Sequence, residues 1–419
     1  MGPEHSESEP TRAHDSDEPS AVLPTRRSTL QERRSKDGQT LVGLSLETLQ
    51  ESCQRSEESP SEAISARFRG WSINEEGRNI PTTCPGSIRL MSYNILAGRY
   101  VSTDRYPHCP TSVLSEGYRS KQIVNEVQGI DPDIACFQEM SLEMHNHDDM
   151  LGCVLRSQFG YASEHVVITA KNGSKCHVNT FAQEMRSDFE GVSIFFKSVR
   201  FELLETVPIR FNLEAEIDKT LTAAERQRLQ VASHNVALIL VLRDRCFPEL
   251  LYIVGTTHAL WDAQKPECQT WQMHQLVVKA QELKMTYEDL GTASVLLCGD
   301  LNAESGSAPL HYALHKAILP NALMEQWRSY PITHNINLMS SYTYYCLRHP
   351  GAVSAVNPSN NGDGKVIDHI LYDRDGLVCV AVGRLGEKKN LPSRSNPSDH
   401  YPLAAILVPI HCVTFVEAA

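Results

Sequence analysis

The sequence lacks several features that would assign it to a common class at once. No stretch approaches the ~18 consecutive apolar residues of a membrane-spanning helix, and the longest good apolar run, 236–242, has the length of a buried strand. None of the 12 cysteines stands in a C-x-x-C pair, which argues against zinc-ribbon and thioredoxin motifs. A glycine-rich phosphate loop, a G-x-S-x-G elbow and an H-E-x-x-H zinc motif are absent as well. We therefore expect no membrane domain and none of these catalytic motifs.

An excess of positive charge is also missing. The formal net charge is -12, with 39 Lys and Arg against 51 Asp and Glu in 419 residues. Proteins that hold duplex DNA by releasing counterions are normally basic over the binding domain, so we expect no duplex DNA partner. An acidic enzyme can still act on a few phosphates through a bound cation, because the cation supplies the local positive charge.

The N-terminus has no apolar segment of the secretory type and is too acidic for a transit peptide. Several cysteines lie within apolar runs, such as 134–138 and 296–300, where Cys behaves as a small hydrophobic residue. This use of cysteine indicates a reducing compartment. We predict a cytoplasmic location, with the nucleus and the mitochondrion left open.

Composition divides the chain into two regions. Residues 1–85 are rich in Ser, Glu and Arg with scattered Pro, which predicts a disordered acidic N-terminal extension. The leucines of 41–49 have loosely helical spacing, so a short helix there could dock a protein partner or form only transiently. Residues 86–412 have the regular patterns of a folded domain.

Eight apolar segments rich in β-branched residues are predicted strands: 87–96, 133–140, 191–198, 235–242, 250–258, 294–302, 365–373 and 402–410. Helical patterns cover 119–129 and 271–290. The sequence shows no internal repeat, and leucine-rich repeats in particular are absent. Many strands with few, long helices favour an α/β fold in which two sheets pack face to face and helices flank them.

Most of these predicted strands end in a polar residue: Asn94, Glu139, His258, Asp300 with Asn302, Asp368, and Asp399 with His400. Taken singly, each has an ordinary explanation, such as a strand cap, a surface glutamate or a buried histidine with a satisfied ring. Strand ends of a packed scaffold can, however, direct several side chains to one point. We therefore expect these residues to converge on one site.

The residue types suit a hard divalent cation and a phosphate. Mg²⁺ takes oxygen ligands, often only one or two carboxylates besides water and substrate, so Glu139 with Asn94 nearby could form such a sparse site. Because side chains alternate along a strand, Asp300 and Asn302 of the G-D-L-N segment should share a face, and Gly299 allows close approach.

The S-D-H segment supplies a second chemical group. Asp399 beside His400 could place an imidazole against a phosphate, with a second carboxylate orienting the ring. Asp368, in the segment V-I-D-H-I-L-Y-D, is the candidate for that orienting group.

The motifs Y-N, Q-E, T-H, G-D-L-N, I-D-x-I-x-Y and S-D-H follow one another in this order between residues 87 and 409. The set is similar to that of the endonuclease/exonuclease/phosphatase superfamily of metal-dependent phosphodiesterases. The resemblance implies a four-layer αββα sandwich, two packed mixed sheets flanked by helices, as a single catalytic domain over 86–412. The segments MSYNILAGRY, EGVSIFFK, THALWDAQKPECQTWQ and PSDHYPL look like the branch of carbon catabolite repressor type deadenylases, nocturnin and Angel proteins.

This resemblance implies a Mg²⁺-dependent 3′-to-5′ exoribonuclease that acts on single-stranded RNA, with Mn²⁺ as a substitute ion and poly(A) as a candidate substrate. The roles it implies are Mg²⁺ binding by Glu139 with Asn94 beside it, water activation by Asp300, phosphate binding by Asn302 and His258, and phosphate stabilisation by His400 with Asp399 and Asp368 in support.

Two positions depart from the deadenylase pattern. The deadenylases carry a Pro directly after the Trp-Asp pair and a Phe five residues before the Asp of I-D-x-I, and these residues enclose the adenine. Here the positions hold Ala263 and Asp363. Alternatives are therefore a phosphatase acting on RNA ends with a 2′,3′-cyclic phosphate, as in Angel relatives, or on a nucleotide cofactor, as in nocturnin. An inactive scaffold module is a further alternative, against which the intact site residues argue.

Overall fold

The computed structural model describes residues 69–168, 189–232, 234–317, 333–357, 363–387 and 389–417. The Leu-rich segment 41–49 and most of the predicted extension lie outside the described residues. No helix among the described residues has the length and apolar character needed to cross a membrane.

The strands of the described residues are β1 (Trp71–Ile73), β2 (Ile88–Asn94), β3 (Ile134–Ser141), β4 (Tyr161–Val167), β5 (Glu190–Lys197), β6 (Phe201–Arg210), β7 (Val236–Asp244), β8 (Leu250–His258), β9 (Thr292–Asp300), β10 (Leu338–Ser340), β11 (Ala355–Asn357), β12 (Asp363–Lys365), β13 (Asp368–Asp373), β14 (Leu377–Gly383) and β15 (Leu403–Pro409). The α-helices are α1 (Thr111–Leu114), α2 (Glu116–Ile130), α3 (Leu142–Asn146), α4 (Leu151–Phe159), α5 (Phe211–Ile217), α6 (Ala223–Ala232), α7 (Pro266–Tyr287), α8 (Ala308–His315), α9 (Thr343–Arg348) and α10 (Ile410–Glu417).

The strands form two large mixed sheets and one small hairpin. The first sheet has the order β1-β14-β15-β2-β3-β5-β4, the second has the order β10-β13-β9-β8-β7-β6, and β11 pairs with β12. In each large sheet one neighbouring pair is parallel, β2 with β3 and β8 with β9, and the other pairs are antiparallel. Parallel neighbours need a crossover connection, which α2 provides in the first sheet and α7 in the second.

Side-chain alternation along the central strands creates the layers. In β3, Cys136 packs in the core between the two sheets, whereas Phe137 packs in an outer core with residues of α2 and α4. In β9, Cys298 faces the inner core and Leu297 packs in the outer core that contains Trp271 of α7. Both faces of each sheet are thus covered, and the predicted four-layer αββα sandwich is confirmed.

All eight predicted strands and both predicted helices are present, with boundaries shifted by a few residues. The first sheet also extends upstream of residue 86, where the domain was predicted to begin, because Trp71 in β1 pairs with Gly383 in β14. The first sheet therefore includes residues of the predicted extension.

The topology brings the predicted site residues to one edge of the sandwich. Asn94 ends β2 and pairs across the parallel ladder with Gln138, while His258 ends β8 and pairs with Asp300 at the end of β9. Asp368 begins β13 opposite Asp300, because β13 is antiparallel to β9. Strands of both directions thus contribute polar residues at the same edge.

A buried arginine joins two loops at this edge. Arg119 of α2 is fully buried and donates hydrogen bonds to the carbonyl oxygens of Ile95 (2.8 Å), Leu96 (2.6 Å) and Pro397 (3.2 Å). The first two carbonyls follow Asn94, and the third lies two residues before Asp399. Because the guanidinium bonds carbonyls of both segments at once, it fixes their separation.

We expect Arg119→Met to lower the free energy of unfolding by roughly 3 kcal/mol or more, since it leaves buried carbonyl groups without donors. Urea unfolding measures this loss. Arg119→Lys should lose less, because an ammonium group can still serve part of the set. Arg348→Met is the control, since Arg348 forms an exposed ion pair with Glu75 at 3.4 Å, and such pairs contribute little. Equal stabilities of Arg119→Met and the wild type would contradict this role.

Candidate active site

The two sheets meet at the ends of β2, β3 and β9. The side-chain amide of Asn94 donates to Glu139 Oε1 at 3.0 Å and to Asp300 Oδ2 at 3.1 Å. The second Glu139 oxygen accepts from the backbone N–H of Ala97 at 2.7 Å. Two carboxylates from different sheets therefore converge on one amide group, and all three side chains are buried.

An irregularity in β3 directs Glu139 to this position. The register between β3 and β5 shifts between Gln138 and Met140, and Glu139 has a φ of 58°. Such a β-bulge re-aims a side chain. Gln138 bonds Thr256 of the second sheet at 2.9 Å, and regular alternation would turn the next residue away. The bulge instead lets Glu139 also point toward the second sheet.

Asp300 and Asn302 are related by a turn rather than by strand alternation. Strand β9 ends at Asp300, and Asn302 follows with a φ of 48°. The backbone N–H of Asn302 donates to Asp300 Oδ1 at 3.0 Å, and its side-chain amide donates to the carbonyl of Ala259 at 3.0 Å. Gly299 has a φ of 141°, and a Cβ there would lie 1.9 Å from the carbonyl oxygen of Thr257. Glycine is thus required by the neighbouring strand.

His258 lies between the two carboxylates. Its Nδ1 is 3.9 Å from Glu139 Oε1, and its Nε2 is 3.5 Å from Asp300 Oδ2. Burial lowers the pKa of His258, but the negative charges of Asp300 and Glu139 outweigh burial and raise the pKa above its usual value. Burial also raises the pKa of Glu139. The imidazole therefore tends to carry positive charge beside these acids.

His400 forms a pair with Asp368. The Nδ1 atom of His400 lies 2.9 Å from Asp368 Oδ2, and because an ionised carboxylate only accepts, Nδ1 carries the proton. Burial lowers the pKa of His400, but the Asp368 carboxylate raises it well above the usual range. Nε2 lies 3.7 Å from Asp300 Oδ2, so the ring points its second nitrogen into the site.

Asp399 occupies the side of the site next to His400. Its Oδ2 accepts from the hydroxyl of Tyr106 at 2.7 Å, and its Oδ1 lies 4.0 Å from His400 Nε2. Ser398 holds this segment in place, because its hydroxyl donates to the carbonyl of Asn94 at 2.7 Å and accepts from the N–H of His400 at 3.1 Å. All eight predicted site residues therefore lie around one location.

The donor set fits a hard divalent cation. Among the described residues, the ion pairs of Glu139 and Asp300 are formed with histidines and not with Lys or Arg. Buried carboxylates are costly without a compensating charge, and oxygen ligands of this kind suit Mg²⁺. Asp300, Asp368 and His400 also each place one ligand atom within 4.8 Å of the other two, so Asp300 belongs to both candidate ligand groups. The side-chain oxygen of Asn94 accepts from the backbone N–H of Leu96 at 3.1 Å, so Asn94 contacts the two carboxylates through its amide nitrogen.

One charged residue beside the site is absent from the predicted set. Glu190 is buried and accepts from the hydroxyl of Tyr100 at 2.7 Å and from the guanidinium of Arg99. It lies close enough to raise the pKa of both Glu139 and His258. A charged residue that begins a strand carries no sequence signal of burial, and only the fold shows that Glu190 faces this site.

A family model described as the Endonuclease/Exonuclease/phosphatase family matches residues 91–400. The CCR4-Not complex 3′-5′-exoribonuclease subunit Ccr4 of Schizosaccharomyces pombe is 26% identical over 78% of this chain and 50% of its own length. Carbon catabolite repressor protein 4 homolog 2 of Arabidopsis thaliana is 26% identical over 62% of this chain and 44% of its own length. The chain thus spans about half the length of these curated relatives.

Solved structures share the fold. ANGEL2, a 2′,3′-cyclic phosphatase, superposes with a TM-score of 0.63 at 21% identity, over 81% of this chain and 97% of that chain. The human Nocturnin catalytic domain with a bound sulfate anion has a TM-score of 0.53 at 20% identity, over 81% of this chain and 97% of that chain. The family match over most of the folded region, together with this fold, identifies the chain as a member of the Endonuclease/Exonuclease/phosphatase family, similar to its carbon catabolite repressor, nocturnin and Angel branch.

Proposed function

We propose that the protein is a Mg²⁺-dependent 3′-to-5′ exoribonuclease that hydrolyses phosphodiesters of single-stranded RNA. The main support for the proposal is that Glu139 of the first sheet lies close to Asp300 and His258 of the second sheet. Both carboxylates accept a hydrogen bond from the Asn94 amide, and both lie within ion-pairing distance of His258. A relative named as a 3′-5′-exoribonuclease subunit supports the direction and the substrate. Such an enzyme would act in mRNA decay in the cytoplasm, the location that the sequence predicts.

Glu139 would hold Mg²⁺ together with Asp300, and the Asn94 amide would keep the two carboxylates at a fixed spacing. When bound, the ion would neutralise negative charge on the phosphate oxygens as the reaction proceeds. Mn²⁺, which takes similar oxygen ligands, would substitute for it.

The chain's own residues would perform the remaining chemistry. Asp300 would accept a proton from the attacking water, and His258 with Asn302 would bind the scissile phosphate. His400 would donate its Nε2–H to a phosphate oxygen, because Asp368 fixes the ring by accepting from Nδ1. The water oxygen would form the new P–O bond while the bond to the 3′ oxygen breaks. The 3′ oxygen of the shortened strand would take up a proton from solvent, and a 5′-mononucleotide would leave.

A second candidate activity is hydrolysis of a 2′,3′-cyclic phosphate at an RNA end. Two observations favour it: the fold similarity to ANGEL2, a 2′,3′-cyclic phosphatase, and the residues at the adenine-binding positions. Ala263 and Asp363 are both exposed in the structure, and neither offers the aromatic surface on which a base stacks for ~1–3 kcal/mol. The same phosphate-binding residues would serve either reaction, and the two reactions differ in their products.

Incubation of the full chain and Mg²⁺ with 5′-labelled oligo(A), mixed-sequence RNA and RNA ending in a cyclic phosphate tests both activities. We expect a ladder of products that shortens from the 3′ end, because the proposed exoribonuclease removes one nucleotide at a time from that end. Loss of only the terminal cyclic phosphate would support the second candidate and contradict the first. Cleavage of oligo(A) and mixed RNA at equal rates would show that the altered adenine positions removed base preference.

The same assay includes Asp300→Asn as its control. The change removes a buried negative charge but keeps the shape of the side chain. It also keeps part of the hydrogen bonding that Asn94 and Asn302 donate to this side chain. We expect kcat to fall by about 10³-fold or more with a melting temperature near that of the wild type. Full Mg²⁺-dependent activity in Asp300→Asn would contradict the proposed role of this carboxylate.

Magnesium should stabilise the wild-type fold, because an ion that binds only the folded state adds binding free energy to the free energy of unfolding. We expect the melting temperature to rise with Mg²⁺ concentration in the wild type and to respond much less in Glu139→Gln, which loses a charged ligand. Differential scanning calorimetry in EDTA and in rising Mg²⁺ measures both. An equal rise in the two proteins would place the ion elsewhere.

A further inference from the structure

Arg99 is held beside the site by one edge of its guanidinium. Its Nη2 atom donates to Glu190 and, at 2.6 Å, to the hydroxyl of Tyr100. Nε and Nη1 have no hydrogen-bond partner among the described residues, so an Arg with five N–H donors uses only part of them. The Glu190 side chain is almost fully buried, whereas 30% of the Arg99 side chain is exposed. The buried carboxylate therefore holds the Arg99 guanidinium at the edge of the solvent.

The backbone fixes Arg99 relative to the candidate metal ligand. Ala97, two residues earlier, donates its N–H to Glu139 at 2.7 Å. Leu96 has a φ of 59°, and its carbonyl accepts from the buried Arg119. The short 3₁₀ turn Gly98–Tyr100 then carries Arg99. The guanidinium is therefore a preorganised group on a supported loop rather than a free surface side chain.

The other charged groups around the site are already paired, so an exposed cation there can bind a further phosphate. Glu139, Asp300 and Asp368 are paired with histidines, and the nearby Arg119 is fully buried and committed to carbonyl groups. An extended RNA strand brings further phosphates next to the scissile one, and those phosphates need positive partners of their own. Planar, bidentate recognition of phosphate is the interaction that Arg provides best.

We propose that Arg99, oriented by Glu190 and Tyr100, binds a phosphate of the RNA strand adjacent to the scissile phosphate, and so favours polynucleotides over substrates with a single phosphate. The inference rests on the proposed function, because it assumes that the phosphate to be cleaved lies against His258 and His400. It deepens that function by naming a residue that would distinguish a strand from a free nucleotide, because a free nucleotide lacks the phosphate that Arg99 would bind.

Binding of a fluorescent single-stranded RNA of about 12 nucleotides to the full chain, followed by anisotropy in EDTA at several salt concentrations, tests the inference without turnover. Loss of one phosphate contact should reduce the slope of log K against log [salt] by about 0.7 in Arg99→Gln. At low salt the affinity should fall roughly tenfold. Arg99→Lys keeps the charge and should retain most of the slope, but bind more weakly because it lacks the planar fork.

Arg348→Gln is the matched control, because Arg348 is also an arginine paired with a glutamate, at 3.4 Å from Glu75, on α9. Its slope and affinity should equal those of the wild type. An unchanged slope in Arg99→Gln, or an equal change in Arg348→Gln, would overturn the inference.

A turnover assay separates this inference from the proposed function. In Mg²⁺, the ratio of kcat/KM for the RNA strand to kcat/KM for a dinucleotide, which has only the scissile phosphate, should fall roughly tenfold in Arg99→Gln. A proportional loss on both substrates would mean a structural role and would overturn the inference. Failure of the wild type to cleave either substrate, with the salt slope still altered in Arg99→Gln, would refute the proposed activity while leaving the phosphate contact supported.

Discussion

The contact on which the rest of the site depends is that between the Asn94 amide and the carboxylates of Glu139 and Asp300. It joins a strand of one sheet to a strand of the other, and it holds two acidic groups together in a region with little solvent. Burying two carboxylates side by side costs free energy unless a positive charge compensates for it. The nearby histidines provide part of this charge, and a divalent cation would provide the rest.

The fold makes this contact possible through its two parallel strand pairs. In each sheet a helix returns the chain so that two strands end at the same edge, which places Asn94 next to Gln138 and His258 next to Asp300. Antiparallel strands that begin at that edge add Asp368 and the segment before β15. The inner core between the sheets then sets how far apart the two groups of residues lie, because it is filled with side chains from both.

Much of the architecture and of the site could be predicted from the sequence. Most central strands are apolar on both faces, so their positions are evident from the sequence, and the polar residues at their ends indicate the site. The edge strands β4 and β6 are absent from the predicted set, because their half-buried positions include charged residues, and β6 contains Pro208, which an edge strand tolerates. The apolar strand β14, which lies between β1 and β15, is absent from that set as well. Periodicity cannot reveal the bulge that turns Glu139 or the turn that places Asn302. These features depend on left-handed backbone conformations that the surrounding structure imposes.

The long-range contacts of Arg119 and Glu190 were equally invisible in the sequence. Each is a charged residue in a segment where a charged residue would normally face solvent, and each is buried because loops from distant parts of the chain close over it. The candidate metal site would require this kind of support, since small shifts of either loop would separate the carboxylates.

Anomalous diffraction from crystals of the full chain soaked in Mn²⁺ locates a bound cation without reference to activity. We expect one strong peak in contact with the carboxylate oxygens of Glu139 and Asp300, and loss of that peak in Glu139→Gln. A peak at another part of the molecule, with the two carboxylates still bridged only by Asn94, would show that these carboxylates do not hold the ion.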